Sequence, residues 1–224
     1  MSVFWLDPHD FSFPPVELAE ESGLLAVSTD LRPERLLSAY RSGIFPWFED
    51  QGHFFWFCPD PRLVLFPAEL KVQKSMRPIF NQNRFAYTMN RRFRQVMEAC
   101  AETPRGGQEG TWITPAFIDA YTRLHAMGVA YSMEVWDGEE LVGGLYGVLL
   151  GRVFFGESMF ARATNASKAG FITLVRALER SGVGLIDCQQ ETEHLQSMGA
   201  RTISRKAFLT HIKKLVPREP TQDE

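Results

Sequence analysis

VAYSMEVWDGEELVGGLYGVLLGRVFFGESMF, residues 129–160, decides the fold. Val129, Tyr131, Met133 and Val135 recur at every second position, so they line one face of a strand. Asp137-Gly138 is a turn pair, residues 141–150 return, Gly151-Arg152 turns the chain again, and residues 153–160 run as a third strand. The result is an antiparallel meander. Downstream, Phe171, Leu174, Val175 and Leu178 stand at helical spacing and Gly182 stops that helix. Leu185 to Gln189 then reads as another strand.

Working upstream, Gly23 to Val27 predicts a short strand, and Pro33 sits where a first helical turn takes proline, followed by Leu36, Leu37 and Tyr40 and a Gly43 stop. Residues 44–61 are dense in aromatics and proline, which predicts an ordered loop or short strands. Asn90 is placed to cap a helix bearing Phe93, Val96, Met97 and Cys100. Thr114-Pro115 opens a helix with Phe117, Tyr121, Leu124 and Met127 on one face, and a last helix starts near Ser204. The Gly/Pro-rich stretch 103–110 is the expected boundary between an N-terminal domain, 1–105, and a C-terminal domain, 106–224. Meander, crossover helix and further strand predict an α+β protein: a small N-terminal α/β domain and a C-terminal acetyltransferase-like (GNAT-like) domain with a mixed sheet.

A chain of 224 residues that is 45% hydrophobic and 23% charged has the composition of a globular protein with a sizeable core. No apolar run is long enough to span a bilayer, because Gly143, Gly144 and Gly147 interrupt the best candidate. Met1 to Asp10 carries Asp7 and Asp10 without Lys or Arg, the wrong charge for a secretory signal. Cys58, Cys100 and Cys188 are odd in number and widely spaced. They predict neither a disulfide framework nor a zinc site, and a cytoplasmic location. The net charge of −3 conceals an asymmetry: Lys71, Lys74, Arg77, Arg84, Arg91, Arg92 and Arg94 fall in one stretch without Asp or Glu, leaving −10 on the remainder. Such a stretch suits a polyanion or is a solvated face.

Three polar residues in apolar strands carry the chemistry. Alternation puts Asp187 and Gln189 together on one face, with Ile186 and Cys188 on the other, and a carboxylate inside a sheet requires hydrogen bonds or a use. In 153–160 the same rule places Val153, Phe155, Glu157 and Met159 on one face. Two carboxylates, an amide and an apolar wall would then adjoin. The loop 162–167 lies where coenzyme-A-dependent transferases have a glycine turn for pyrophosphate, but carries Asn165 and Ser167. That disfavours the coenzyme and leaves an anion site assisted by Lys168, or plain helix capping, both open.

Taken in order, Gly43-Ile44-Phe45-Pro46-Trp47-Phe48, Pro59-Asp60-Pro61-Arg62, Gly110-Thr111-Trp112-Ile113-Thr114-Pro115, Leu141-Val142-Gly143-Gly144, Phe155-Gly156-Glu157-Ser158-Met159-Phe160, Asn165-Ala166-Ser167-Lys168 and Leu185-Ile186-Asp187-Cys188-Gln189 resemble the bacterial leucyl/phenylalanyl-tRNA–protein transferases. The resemblance runs from about Phe13 to Leu215. Ser28-Thr29, Arg32, Phe57-Cys58 and Gln190 depart from the usual pattern beside these motifs. The resemblance implies transfer of Leu, Phe or Met from aminoacyl-tRNA to proteins beginning with Arg or Lys, marking them for degradation, without cofactor, metal or membrane. It implies that Asp187 binds the incoming amine, that Gln189 couples this carboxylate to the reacting centre, and that Glu157 holds the amino group of the tRNA-borne residue. Trp112 would stack on the terminal adenosine, with Trp47 a second candidate, Leu145 and Met159 would receive the side chain, and Lys71, Lys74, Arg77, Arg84, Arg91 and Arg92 would meet the tRNA phosphates. Asp187→Asn is then expected to keep the fold and lose transfer. A coenzyme-A-dependent N-acetyltransferase and a non-catalytic RNA-binding module are the competing readings.

Overall fold

The computed structural model describes residues 3–103 and 111–217. In chain order its elements are β1 (Phe4–Trp5), β2 (Leu24–Ser28), α1 (Pro33–Arg41), β3 (Phe45–Asp50), β4 (His53–Phe57), β5 (Arg62–Leu65), α2 (Arg77–Asn81), β6 (Ala86–Met89) and α3 (Phe93–Glu102). There follow α4 (Pro115–Ala126), β7 (Ala130–Asp137), β8 (Glu140–Leu150), β9 (Val153–Ala161), α5 (Ala166–Arg180), β10 (Leu185–Gln189), α6 (Glu193–Gln196), β11 (Arg201–Ile203) and α7 (Arg205–Leu215).

Strands β7, β8 and β9 form the expected meander, and after the α5 crossover β10 pairs parallel to β9. The α+β mixed-sheet expectation holds. The whole sheet has seven strands in the order β11-β5-β10-β9-β8-β7-β6, and a four-stranded sheet, β1-β2-β4-β3, is built from residues 4–57. The connector expected at 103–110 lies for the most part outside the described residues. Strands β5 and β6 both precede it and both pair in the larger sheet, so the change of sheet falls between β4 and β5. Arg62 to Leu65 and Ala86 to Met89 are too short for periodicity to reveal which sheet they join.

Two buried clusters sandwich the larger sheet. One unites α1, α3, α4 and α7 with the N-terminal sheet around Trp56, Tyr40, Phe117, Phe155 and Phe208; the other packs α5 on the opposite face around Phe154, Ile172, Val175 and Ile186. Gly170 permits that contact: a Cβ there would lie 2.7 Å from Val135 Cγ2. The stripes expected on α3 and α5 are buried as read, α7 buries Phe208 and Ile212, and Ser204 caps α7 by accepting the Ala207 N–H, a contact worth about 1 kcal/mol.

Three local expectations change. Asn90 does not cap α3; it adopts φ 60°, and its side chain accepts the Ser132 N–H, while the buried Glu134 carboxylate accepts the N–H groups of Arg91 and Arg92. A carboxylate from a neighbouring strand outcompetes the local amide because it complements both the orphan donors and the helix dipole. Met127 is 54% exposed because it lies past the last turn of α4. At α5, Asn165 is the N-cap with φ 68° but makes no side-chain cap, and Ser167 lies inside the helix.

Candidate active site

The polar centre sits where two strands part. Pairing between β9 and β10 ends at Phe155 opposite Asp187. In the β8–β9 register Gly147 faces Gly156 and Tyr146 faces Ser158, so Glu157 is the extra residue of a β-bulge. Gly147 is required there, since a Cβ would lie 2.2 Å from the Phe155 carbonyl oxygen. The bulge breaks the alternation read from sequence. Phe155 and Glu157 turn to the cluster containing Tyr40 and Tyr121, whereas Met159 packs against the α5 side. β10 also bulges: Asp187 pairs with Val64 and Gln189 with Leu63, leaving Cys188 without an opposite residue.

Glu157 is buried and held from three directions. Tyr40 donates to its Oε1 at 2.7 Å, Gln189 Nε2 donates to the same oxygen at 3.1 Å, and Tyr121 donates to Oε2 at 3.2 Å. The two tyrosine hydroxyls also touch one another. Burial raises the Glu157 pKa, the three donors oppose that rise, Asp187 adds to it, and the outcome is a carboxyl pushed up to about 7. Burial keeps both tyrosines protonated and donating. Tyr40 and Tyr121 were legible only as stripe residues, although a tyrosine on an apolar helix face always raises the question of where its hydroxyl goes.

Asp187 is fully buried and gripped by Arg62, whose Nε reaches Oδ1 at 2.8 Å and whose Nη2 reaches Oδ2 at 2.6 Å. Oδ1 also accepts the Gln189 N–H at 2.9 Å. Both carboxylate oxygens are thus engaged within the protein, and Asp187 also borders the cavity that Glu157 and Gln189 line. Arg62 is the partner of Asp187 that composition, periodicity and spacing miss. Nothing in its own segment signals that an arginine there faces inward.

A cavity of about 500 Å³ opens at this fork. Glu157, Gln189, Trp47, Trp112, Leu145 and Met159 all line it, so the structure gathers the site residues of distant segments. Phe154, Phe171, Ile186 and Leu195 give it an apolar end. Cys188 also lines it, but burial drives its thiol far above the usual range, which makes it a poor nucleophile. Lys71, Lys74, Arg77, Arg84, Arg91 and Arg92 lie outside the cavity, toward solvent. Arg84 is paired with Asp137 at 2.6 Å; among the described residues no ion pair engages the other five. No described group of three or more His, Cys, Asp or Glu could hold a metal ion, and no described helix is long and apolar enough to cross a membrane.

The family model described as leucyl/phenylalanyl-tRNA protein transferase matches residues 64–213, and the one described as its N-terminal domain matches residues 29–60. The leucyl/phenylalanyl-tRNA–protein transferase of Pseudomonas aeruginosa is 53% identical over 221 residues, 98% of this chain and 97% of its own length. That of Syntrophobacter fumaroxidans is 55% identical over 217 residues, covering 97% and 92%. Among solved structures, L-PGS from Bacillus licheniformis aligns with a TM-score of 0.45 at 11% identity, over 88% of this chain and 74% of that one.

Proposed function

The chain belongs to the leucyl/phenylalanyl-tRNA–protein transferase family, and on that premise we propose that it transfers Leu, Phe or Met from aminoacyl-tRNA to the α-amine of proteins beginning with Arg or Lys, marking them for degradation in the cytoplasm. The observation that carries this reading is Glu157: a carboxylate not tied to a cation, set beside an apolar recess in a cavity that two tryptophans also line. An aminoacyl-adenosine end presents the complementary set of an ammonium, an apolar side chain and a base with a π-face.

Glu157 holds the α-ammonium of the tRNA-borne residue, Leu145 and Met159 take its side chain, and Trp47 and Trp112 hold the terminal adenine. Stacking of this kind contributes about 1–3 kcal/mol per base. Gln189, whose Nε2 is committed to Glu157, presents its amide oxygen to the incoming amine and orients it on the ester carbonyl. The new C–N bond forms as the ester C–O bond breaks, and the proton shed by nitrogen ends on the departing ribose oxygen. The ester is already activated, and an α-amine of pKa roughly 7.7–8.0 is partly neutral at physiological pH, so orientation is the main task. Asp187 serves from behind, through the Gln189 backbone.

Incubation with radiolabelled leucyl-tRNA and an Arg-starting peptide, with and without acetyl-CoA, tests the reading. Label on the peptide N-terminus, indifferent to acetyl-CoA, is expected; acetyl transfer without leucine transfer would replace it with the acetyltransferase reading.

Lys71, Lys74, Arg77, Arg91 and Arg92 contact phosphates, and Arg84 contributes less because Asp137 already neutralises it. Replacing Arg91 and Arg92 by Glu is therefore expected to weaken tRNA binding and lower the log–log salt slope by about 0.7–0.9 for each phosphate no longer neutralised, more than Arg84→Glu does. Fluorescence titrations across salt concentrations read this directly. An unchanged slope would make the segment a solvated face.

A further inference from the structure

We infer that Arg62 is a positioning residue for the transfer, acting through Asp187 and Gln189 on the Glu157 carboxylate; this rests on the transferase reading above. Arg62 is fully buried, and its guanidinium carbon lies 4.6 Å from the Phe45 ring centre and 4.5 Å from that of Phe208. Clamped between two rings, it can turn its fork in only one plane. Its Nε and Nη2 meet the two oxygens of Asp187, while Nη1 is buried without a hydrogen-bond partner among the described residues. The cation is thus committed to fixing one carboxylate. That carboxylate then does one more thing: Oδ1 accepts the Gln189 N–H at 2.9 Å.

The bond matters because Gln189 stands at φ 62°, a left-handed conformation that a long L side chain rarely adopts and that costs about 1–3 kcal/mol unless its surroundings impose it. The left-handed turn closes the bulge at Cys188 and sends the Gln189 side chain across to β9, where Nε2 meets Glu157. A chain of contacts therefore runs from a cation sealed between rings, through Asp187, to a backbone held in an unfavourable conformation at the cavity wall. An ion pair that merely held two strands together would not end on the β10 residue that bonds Glu157. The groups that face Glu157 are Tyr40, Tyr121, Gln189 and, at longer range, the Asp187–Arg62 pair. Only the last two links depend on Arg62.

Arg62→Lys keeps the charge and loses the two-pronged fork. In the full chain, assayed with leucyl-tRNA and an Arg-starting peptide, it is expected to lower kcat about 10- to 100-fold, the scale set by small misplacement of a reacting group. The double variant Arg62→Lys with Gln189→Ala is expected to be no slower than Gln189→Ala alone, since both remove the same device. Guanidinium at low millimolar concentration is expected to restore part of the activity of Arg62→Ala, and ammonium is not. Independently of turnover, the Glu157 carboxyl, followed by carbon NMR, is expected to titrate higher in Arg62→Lys, as in Gln189→Ala, because a donor to its charged form is lost. An unchanged kcat per folded molecule, multiplicative effects in the double variant, or an unmoved Glu157 titration would overturn the inference. So would failure of both Arg62 variants to fold even with guanidinium, which would make the pair a general support. Absence of leucine transfer by the wild type would instead overturn the functional reading, leaving the Glu157 titration to judge Arg62.

Discussion

Asp187→Asn is expected to destabilise the protein by about 3–5 kcal/mol and to abolish most of its transferase activity. The reason lies in what surrounds the side chain. The Arg62 guanidinium cannot reach water, since it is buried against Phe45 and Phe208, and an amide in place of the carboxylate offers it a neutral acceptor on one side and an opposed donor on the other. Removing one partner of a buried pair leaves the other charge uncompensated, which is the large term, about 3–5 kcal/mol. Activity falls as well, because a neutral amide oxygen holds the Gln189 N–H more weakly than the carboxylate does. Urea unfolding followed with an unchanged m-value measures the first effect, and peptide labelling measures the second. The sequence-based expectation that this substitution spares the fold is thereby revised. Replacing the pair together, Arg62→Met with Asp187→Leu, separates the two effects: apolar replacement of a buried pair is often neutral for stability, so the fold is expected to recover while transfer does not.

Glu157→Gln is expected to lower kcat/KM for aminoacyl-tRNA by about 2 kcal/mol or more, roughly thirtyfold, since it removes the charge that holds an ammonium in a site shielded from water. Its effect on stability has the opposite sign. The Glu157 pKa in the folded protein is raised from 4.5 to about 7, so the folded state binds more protons than the unfolded state between those values. Stability is therefore lost as pH rises through that window, by about 3 kcal/mol, and the loss is complete above pH 7. Glutamine has no charge to bury. The variant is expected to lack this decline and, near pH 8, to melt no lower than the wild type. A variant that loses both activity and stability at pH 8 would show that Glu157 supports the fold rather than the reaction.

Much of this architecture is legible in the sequence because its signals are local. The alternation of Val129 to Val135, the turn at Asp137-Gly138 and the spacing of Phe171 to Leu178 each report on neighbours within a few residues. Strands β5, β6 and β11 are pairings between distant segments too short to carry a period, so their sheet partners were not legible. The same distinction runs through the site. Asp187, Gln189 and Glu157 stand out as polar residues in apolar strands, whereas the meeting of Glu157 with Tyr40 and Tyr121 and of Asp187 with Arg62 depends on contacts across 36 to 125 residues. The separation of Met159 from Glu157 comes from a bulge, which inserts one residue and inverts every later side chain. Asn90 illustrates the reverse case: a sound local cap signal loses to a buried glutamate from β7.

Transfer as proposed requires the aminoacyl end of the tRNA to reach Glu157. The affinity difference between leucyl-tRNA and uncharged tRNA, measured without acceptor from pH 6 upward, tests that most directly, since the two ligands differ only by the esterified residue. In the wild type the difference should grow as pH rises toward about 7 and Glu157 ionises, and in Glu157→Gln it should be smaller and flat. The same pH dependence in both proteins would contradict the proposal, because the ammonium would then be held elsewhere.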